Sequence, residues 1–307
     1  MLQGKDLLSI HDLSADEVCE ILDCAAKLKV MQKSGVEHKL LAGKTLGMIF
    51  EKSSTRTRVS FEVGIFQLGG TGLFLSSKDL QLGRGEPIKD TARVLARYLD
   101  GIMIRTFEQA KVEELAKYAD IPVINGLTDL LHPCQVLTDL LTIREHKGKN
   151  FRALKMAYVG DGNNMTNSYL YGAAKVGMTL AVATPENYKP NQKVFDNALT
   201  DAEETGAKLS WTQDPVEAVK DADIIATDTW ASMGQEAEHD ARKKIFAPYQ
   251  VNKNLLRGAS KNVIVLHCLP AYRGEEITDD VLEDNAHVIF DEAENRLHTQ
   301  KAIMALT

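Results

Sequence analysis

Apolar and polar positions alternate between two periods along this chain. Short runs such as Thr45-Leu46-Gly47-Met48-Ile49-Phe50, Gly72-Leu73-Phe74-Leu75, Gly101-Ile102-Met103-Ile104 and Pro122-Val123-Ile124 have the length and content of buried strands. Stretches with helical spacing separate them. Val18, Ile21, Leu22, Ala25 and Leu28 mark one face of a first helix, which Ser14 and Glu17 open with capping-box spacing. Val59, Val63 and Phe66 suggest a second helix that stops at Gly69-Gly70, and Asp90 to Leu99 and Val112 to Tyr118 suggest two more. A long amphipathic helix follows His132-Pro133, with Pro133 suited to a first turn where its missing N–H costs nothing.

The second half repeats the alternation. Strands are expected at Met156–Val159, Leu180–Ala183, Ile224–Thr227, Val263–Leu266 and Val288–Phe290, with helices between and a last helix from Glu292 to Leu306. Such alternation predicts an α/β protein of two domains, each a parallel sheet flanked by helices. Lys147-Gly148-Lys149 marks the expected boundary, giving a domain over 1–147, a second over 148–291, and a terminal helix over 292–307 packing back on the first.

Composition narrows the class. At 307 residues, 44% hydrophobic and 26% charged, the chain can bury a large core, and its net charge of −7 argues against a general nucleic-acid binder. No stretch approaches the roughly 18 apolar residues of a membrane span. Cys19, Cys24, Cys134 and Cys268 form neither a disulfide framework nor a zinc motif, so a reducing cytoplasm is the expected setting.

The chemistry gathers where strands end. Ser53-Ser54-Thr55-Arg56-Thr57-Arg58 falls between a strand and a helix start, where hydroxyls, guanidiniums and orphan helix N–H groups together make a phosphate site. The bland alternative is a Ser/Thr cap beside two solvated arginines. Arg56, Arg105, Asn164, Asp228 and Cys268 all follow predicted strands, which is where open α/β sheets bind ligands, and two sheets facing one cleft are expected. His132-Pro133-Cys134-Gln135 offers an imidazole and an amide for a carbonyl. Asp228, directly after Ile224–Thr227, must be paired or facing a ligand, whereas a thiol such as Cys268 at a strand end is ordinarily packing. Gly160-Asp161-Gly162 lacks the third glycine of a dinucleotide fingerprint, since Met165 stands there.

Ser-Thr-Arg-Thr-Arg, His-Pro-x-Gln, Asp228…Ser232-Met233-Gly234 and His267-Cys268-Leu269-Pro270, in this order, resemble the aspartate/ornithine carbamoyltransferase family, and its ornithine branch in the last two. The resemblance implies that Ser54, Thr55, Arg56 and Thr57 hold the phosphate of carbamoyl phosphate. It further implies that Arg105 bridges phosphate and carbonyl, that His132 and Gln135 contact the carbamoyl group, and that Arg296 is a further donor contact. Gln81 matches a loop position that reaches a neighbouring subunit's site. Asn164, with Asn163 as its rival, joins Asp228, Ser232 and Met233 in binding L-ornithine, and Cys268 and Leu269 line the meeting point of both substrates. Arg105, His132, Cys268 and Asp228 are the implied catalytic set, with no metal or organic cofactor, in a homotrimer or a multiple of trimers. The rivals are a carbamoyltransferase for putrescine or N-acetylornithine, a dinucleotide-dependent oxidoreductase, and a non-catalytic binding protein. Trp230 to about Pro248, long and polar, is expected to form a lid.

Overall fold

A computed structural model of the chain describes residues 2–77, 80, 85–231 and 238–307. Two units divide it: residues 1–141 with 294–307, and residues 142–293. The first runs α1 (Ala15–Lys33), β1 (Thr45–Phe50), α2 (Thr55–Gln67), β2 (Thr71–Ser76), α3 (Ile88–Leu95), β3 (Gly101–Arg105), α4 (Gln109–Tyr118), β4 (Val123–Leu127) and the start of α5 (Pro133–Lys147). The second continues with β5 (Lys155–Val159), α6 (Asn164–Val176), β6 (Thr179–Ala183), α7 (Gln192–Thr205), β7 (Leu209–Thr212), α8 (Pro215–Val219) and β8 (Ile224–Thr227). After these come α9 (His239–Phe246), α10 (Lys253–Leu256), β9 (Ile264–His267), α11 (Asp279–Asp284) and α12 (Ala286–Leu306).

Each unit has a parallel sheet, in the order β2-β1-β3-β4 in the first and β7-β6-β5-β8-β9 in the second. The residues of β1, β3, β4, β5, β6, β8 and β9 are mostly buried, as in a sheet covered by helices. Ile49, Ile102, Ile104, Val112, Leu115 and Val123 form one core, and Ala157, Val159, Ile225, Val265, Ile277 and Ile289 belong to another. Each such Val, Leu or Ile side chain contributes about 1.5–3 kcal/mol on full burial. Parallel strands put every carboxyl end of a sheet on one edge, so the loops after β1, β3 and β4 share one edge, and those after β5, β8 and β9 share another.

One expectation needs correction, and two features were not foreseen. Val288–Phe290 is not a strand; it lies at the start of α12, from its first turn into its second, with Val288 and Ile289 buried and Phe290 57% exposed. A short β-branched run reads alike in both structures, and here the helix began earlier than Glu292. Val59, Val63 and Phe66 lie on a helix, α2, as their spacing suggests, but not on its core-facing side. Thr57, Phe61, Gly64 and Ile65 do, while Phe66 is 77% exposed. The strand β7, absent from the sequence reading, is a sheet edge whose residues are only partly covered.

Gly64 explains how α12 approaches α2. A Cβ there would come within 2.9 Å of Met304 Cε and 3.3 Å of Lys301 Cγ. The absent side chain lets the two helices pack closely, bringing Arg296 near the N-terminal turn of α2.

Candidate active site

In the first unit the Ser53–Arg58 stretch folds as a capped helix start. Ser54 is the N-cap of α2 and its hydroxyl accepts from the Thr57 N–H at 3.1 Å. Thr57 is 1% exposed and becomes a hub: Arg105 Nη1 lies 3.4 Å from its Oγ1 and Arg296 Nη2 lies 3.2 Å from it. Arg105 is the last residue of β3, where the pairing with β4 shifts register between Ile104 and Arg105. Such a bulge re-aims a side chain. Arg296 also donates to Gln135 Oε1 at 2.6 Å, and Gln135 Nε2 donates to the buried Asp139 at 2.8 Å. The Gln135 amide is therefore oriented with its oxygen toward the arginine.

His132 precedes Pro133 at the start of α5 and is 5% exposed. Burial pushes its imidazole well below the usual histidine range, and the cations of Arg296, Arg105 and Arg56 push it the same way. A neutral ring results. It can donate one N–H to a carbonyl while remaining uncharged. The whole set is a pocket of guanidiniums, hydroxyl and helix N–H groups, suited to an anion bearing a carbonyl. Arg58, by contrast, is surface chemistry, 3.8 Å from the Phe74 ring centroid and 3.4 Å from Glu62. Cys134 is fully buried with its thiol pushed up to about 12, a packing residue.

In the second unit the loops after β5, β8 and β9 converge on Asp228, which is 8% exposed. Asn163 Nδ2 donates to Asp228 Oδ2 at 2.8 Å, the Thr229 N–H donates to Oδ1 at 2.8 Å, and the Cys268 thiol donates to Oδ1 at 3.2 Å. Asn163 is thereby occupied: its oxygen caps α6 by accepting from the Met165 and Thr166 N–H groups. Asn164 is half-buried in the first turn of α6. Leu269 sits at φ +55°, held by its N–H donating to His267 Nδ1 at 2.9 Å. A bulky residue in that region costs ~1–3 kcal/mol, and such strain clusters at functional sites.

The glycines of Gly160-Asp161-Gly162 have a structural cause. A Cβ on Gly162 would fall 2.3 Å from the Tyr188 carbonyl oxygen and the Lys189 carbonyl carbon, so only glycine fits. Gln81, Ser232 and Met233 lie outside the described residues. Of the segment expected to form a lid, 232–237 lie outside the described residues; in the rest, Trp230, Arg242 and Phe246 are buried and 239–246 form the helix α9. Arg242 is the residue that sequence reasoning missed. Its signal was the i, i+4 spacing with Phe246 inside an otherwise polar segment. Among the described residues no group of three or more His, Cys, Asp or Glu could hold a metal ion, and no helix is long and apolar enough to cross a membrane.

One unit thus carries an anion-and-carbonyl pocket and the other a carboxylate with amide and thiol neighbours. Residues 5–145 match the profile described as aspartate/ornithine carbamoyltransferase, carbamoyl-P binding domain, and residues 152–307 match its Asp/Orn binding domain. This chain belongs to the aspartate/ornithine carbamoyltransferase family. It is 60% identical over 304 residues, covering 99% of this chain and 97% of the relative, to an ornithine carbamoyltransferase of Carboxydothermus hydrogenoformans. An anabolic ornithine carbamoyltransferase of Pyrococcus furiosus is 55% identical over 305 residues, covering 99% of this chain and 96% of the relative. The solved ornithine carbamoyltransferase from Pyrococcus furiosus superposes with a TM-score of 0.96 at 55% identity, covering 100% of this chain and 97% of that one.

Proposed function

We propose that this chain transfers the carbamoyl group of carbamoyl phosphate to the side-chain amine of L-ornithine, giving L-citrulline and phosphate. The observation that carries it is the Thr57 hub, where two buried guanidiniums from β3 and α12 meet the N-terminus of α2 beside a neutral imidazole. In this reading residues 1–147 with 292–307 hold the donor, and residues 148–291 hold the acceptor.

The chemistry follows from the groups present. Ser54, Thr55, Arg56 and Thr57 receive the phosphate at the helix N-terminus, and Arg105 and Arg296 spread its charge. His132 donates to the carbamoyl oxygen, and Gln135 Oε1, already facing Arg296, accepts from the carbamoyl amide. The acceptor's side-chain amine has an unperturbed pKa of about 10.4, so roughly one molecule in a thousand is nucleophilic at neutral pH; desolvation raises that fraction. Asp228 holds the α-ammonium, Asn164, Ser232 and Met233 complete the acceptor contacts, and Cys268 and Leu269 sit beside the reacting groups. Attack at the carbamoyl carbon develops an oxyanion that Arg105, His132 and Thr57 stabilise, and the C–O bond to phosphate then breaks. Gln81 belongs to the donor set, reaching a neighbouring subunit.

The assembly in this reading is a trimer or a multiple of trimers in the cytoplasm. Val59, Val63 and Phe66, spaced along one side of α2, are exposed apolar side chains of the kind that a second copy covers. None of the four cysteines is in a disulfide, in keeping with a reducing compartment. An assay of purified protein with carbamoyl phosphate and ornithine tests the activity. Citrulline and phosphate in equal amounts support it; phosphate release without citrulline refutes it.

A further inference from the structure

Arg242 on α9 is 4% exposed, a cation buried away from the groups that the proposed chemistry uses. Its guanidinium makes two hydrogen bonds across the chain. Nε donates to the Trp230 carbonyl, two residues beyond Asp228, and Nη2 donates to Asp161 Oδ2 in the loop after β5. Two aromatic rings brace it, with the guanidinium carbon 4.7 Å from the Tyr188 centroid and 5.2 Å from that of Phe246. Phe246 in turn stacks on Trp230 at 6.0 Å. The remaining carboxylate near it, Glu238, is 62% exposed and 3.6 Å away.

Buried ion pairs rarely add net stability, because desolvation consumes most of their attraction. They do fix geometry. Here the two things fixed are the loops whose side chains meet at Asp228: Asn163 follows Asp161 by two residues, and Asp228 precedes Trp230 by two. A planar, five-donor fork can hold a carbonyl and a carboxylate at once, which an ammonium cannot do in the same geometry.

We propose that Arg242 is a positioning residue for the amine acceptor, holding the Asp228–Trp230 backbone against the Asp161 loop so that the Asp228 carboxylate is presented to the substrate's α-ammonium. This rests on the acceptor reading of Asp228 given above. The Asp161 carboxylate is the other half of the device. Burial and the neighbouring Asp228 charge push its pKa up to about 6 against the pull of Arg242.

The test compares Arg242→Met, Arg242→Lys and Asp161→Asn with the unaltered protein. Hydrogen exchange of the 229–231 amides is read without substrates, and KM is read for ornithine and for carbamoyl phosphate. Arg242→Met is expected to speed exchange at 229–231 at least tenfold and raise the ornithine KM at least tenfold, with the carbamoyl phosphate KM within twofold. Arg242→Lys, keeping charge but not the fork, recovers part of the loss, and Asp161→Asn raises the ornithine KM at least threefold. Unchanged exchange in a folded Arg242→Met protein, or equal rises in both KM values, overturns the proposal. If that variant does not fold, an unchanged ornithine KM in Asp161→Asn overturns it. Should the unaltered protein make no citrulline, the functional reading falls, while the exchange measurement still decides whether Arg242 holds the loop.

Discussion

Arg296 Nη2 lies 3.2 Å from Thr57 Oγ1, joining residues 239 positions apart in the chain. That contact ties the terminal helix α12 to the first turn of α2, and it makes one small hydroxyl the organiser of a site whose other members are large and charged. Arg105 reaches the same oxygen from β3.

Thr57→Val keeps the shape and removes the hydroxyl. A hydrogen bond to a charged group is worth about 1.5–3 kcal/mol, so donor affinity should fall roughly tenfold to a hundredfold. Calorimetry with inorganic phosphate, alongside the carbamoyl phosphate KM, reads the loss. Full affinity in the valine variant would mean that the phosphate sits elsewhere.

Arg56→Ala and Asp228→Asn should damage opposite substrates. The first is expected to weaken donor binding by about 1.5–3 kcal/mol while sparing ornithine. The second should raise the ornithine KM at least tenfold and leave phosphate binding within threefold. Equal damage to both substrates in either variant would show the two units misassigned.

His298 makes stability depend on pH. Burial pushes its pKa down from 6.5 to about 4, although Glu294 at 3.2 Å pulls the other way. The folded state therefore binds fewer protons than the unfolded chain between those values. The contribution is fully present above pH 6.5 and is lost as pH falls toward 4, amounting to roughly 3 kcal/mol. Melting temperatures across pH 7 to 4 should fall less steeply in His298→Gln than in the unaltered protein. Parallel curves would contradict this.

Phe66, 77% exposed on α2, should sit inside a subunit contact. Phe66→Glu places a charge on that face and is expected to reduce the assembly to smaller species in sedimentation velocity, with the melting transition of the subunit retained. An unaltered sedimentation coefficient would remove this face from the interface.

Much of this was readable from the chain because local signals agreed. Strand-then-hydroxyl-then-arginine at 45–58 declared a helix start, and the capping box at Ser14 and Glu17 formed as spaced. The failures have physical causes. Val288–Phe290 lost its strand reading because α12 starts at Ala286, and a three-residue apolar run carries no period of its own. Val59, Val63 and Phe66 had correct helical spacing but mark the uncovered face, since the sheet-facing side of α2 uses Thr57 and Gly64, residues that hydrophobicity does not flag. Arg242 fell within a segment read as a polar lid, and its partners, Asp161 and the Trp230 carbonyl, are brought to it only by the fold.

The most direct test is product formation by the purified protein, given carbamoyl phosphate and, side by side, ornithine, putrescine and N-acetylornithine. Citrulline formation from ornithine, with kcat/KM at least a hundredfold above either rival amine, is the result expected from an acceptor site built on Asp228. A preference for putrescine or N-acetylornithine, or release of phosphate with no carbamoylated amine, would contradict it.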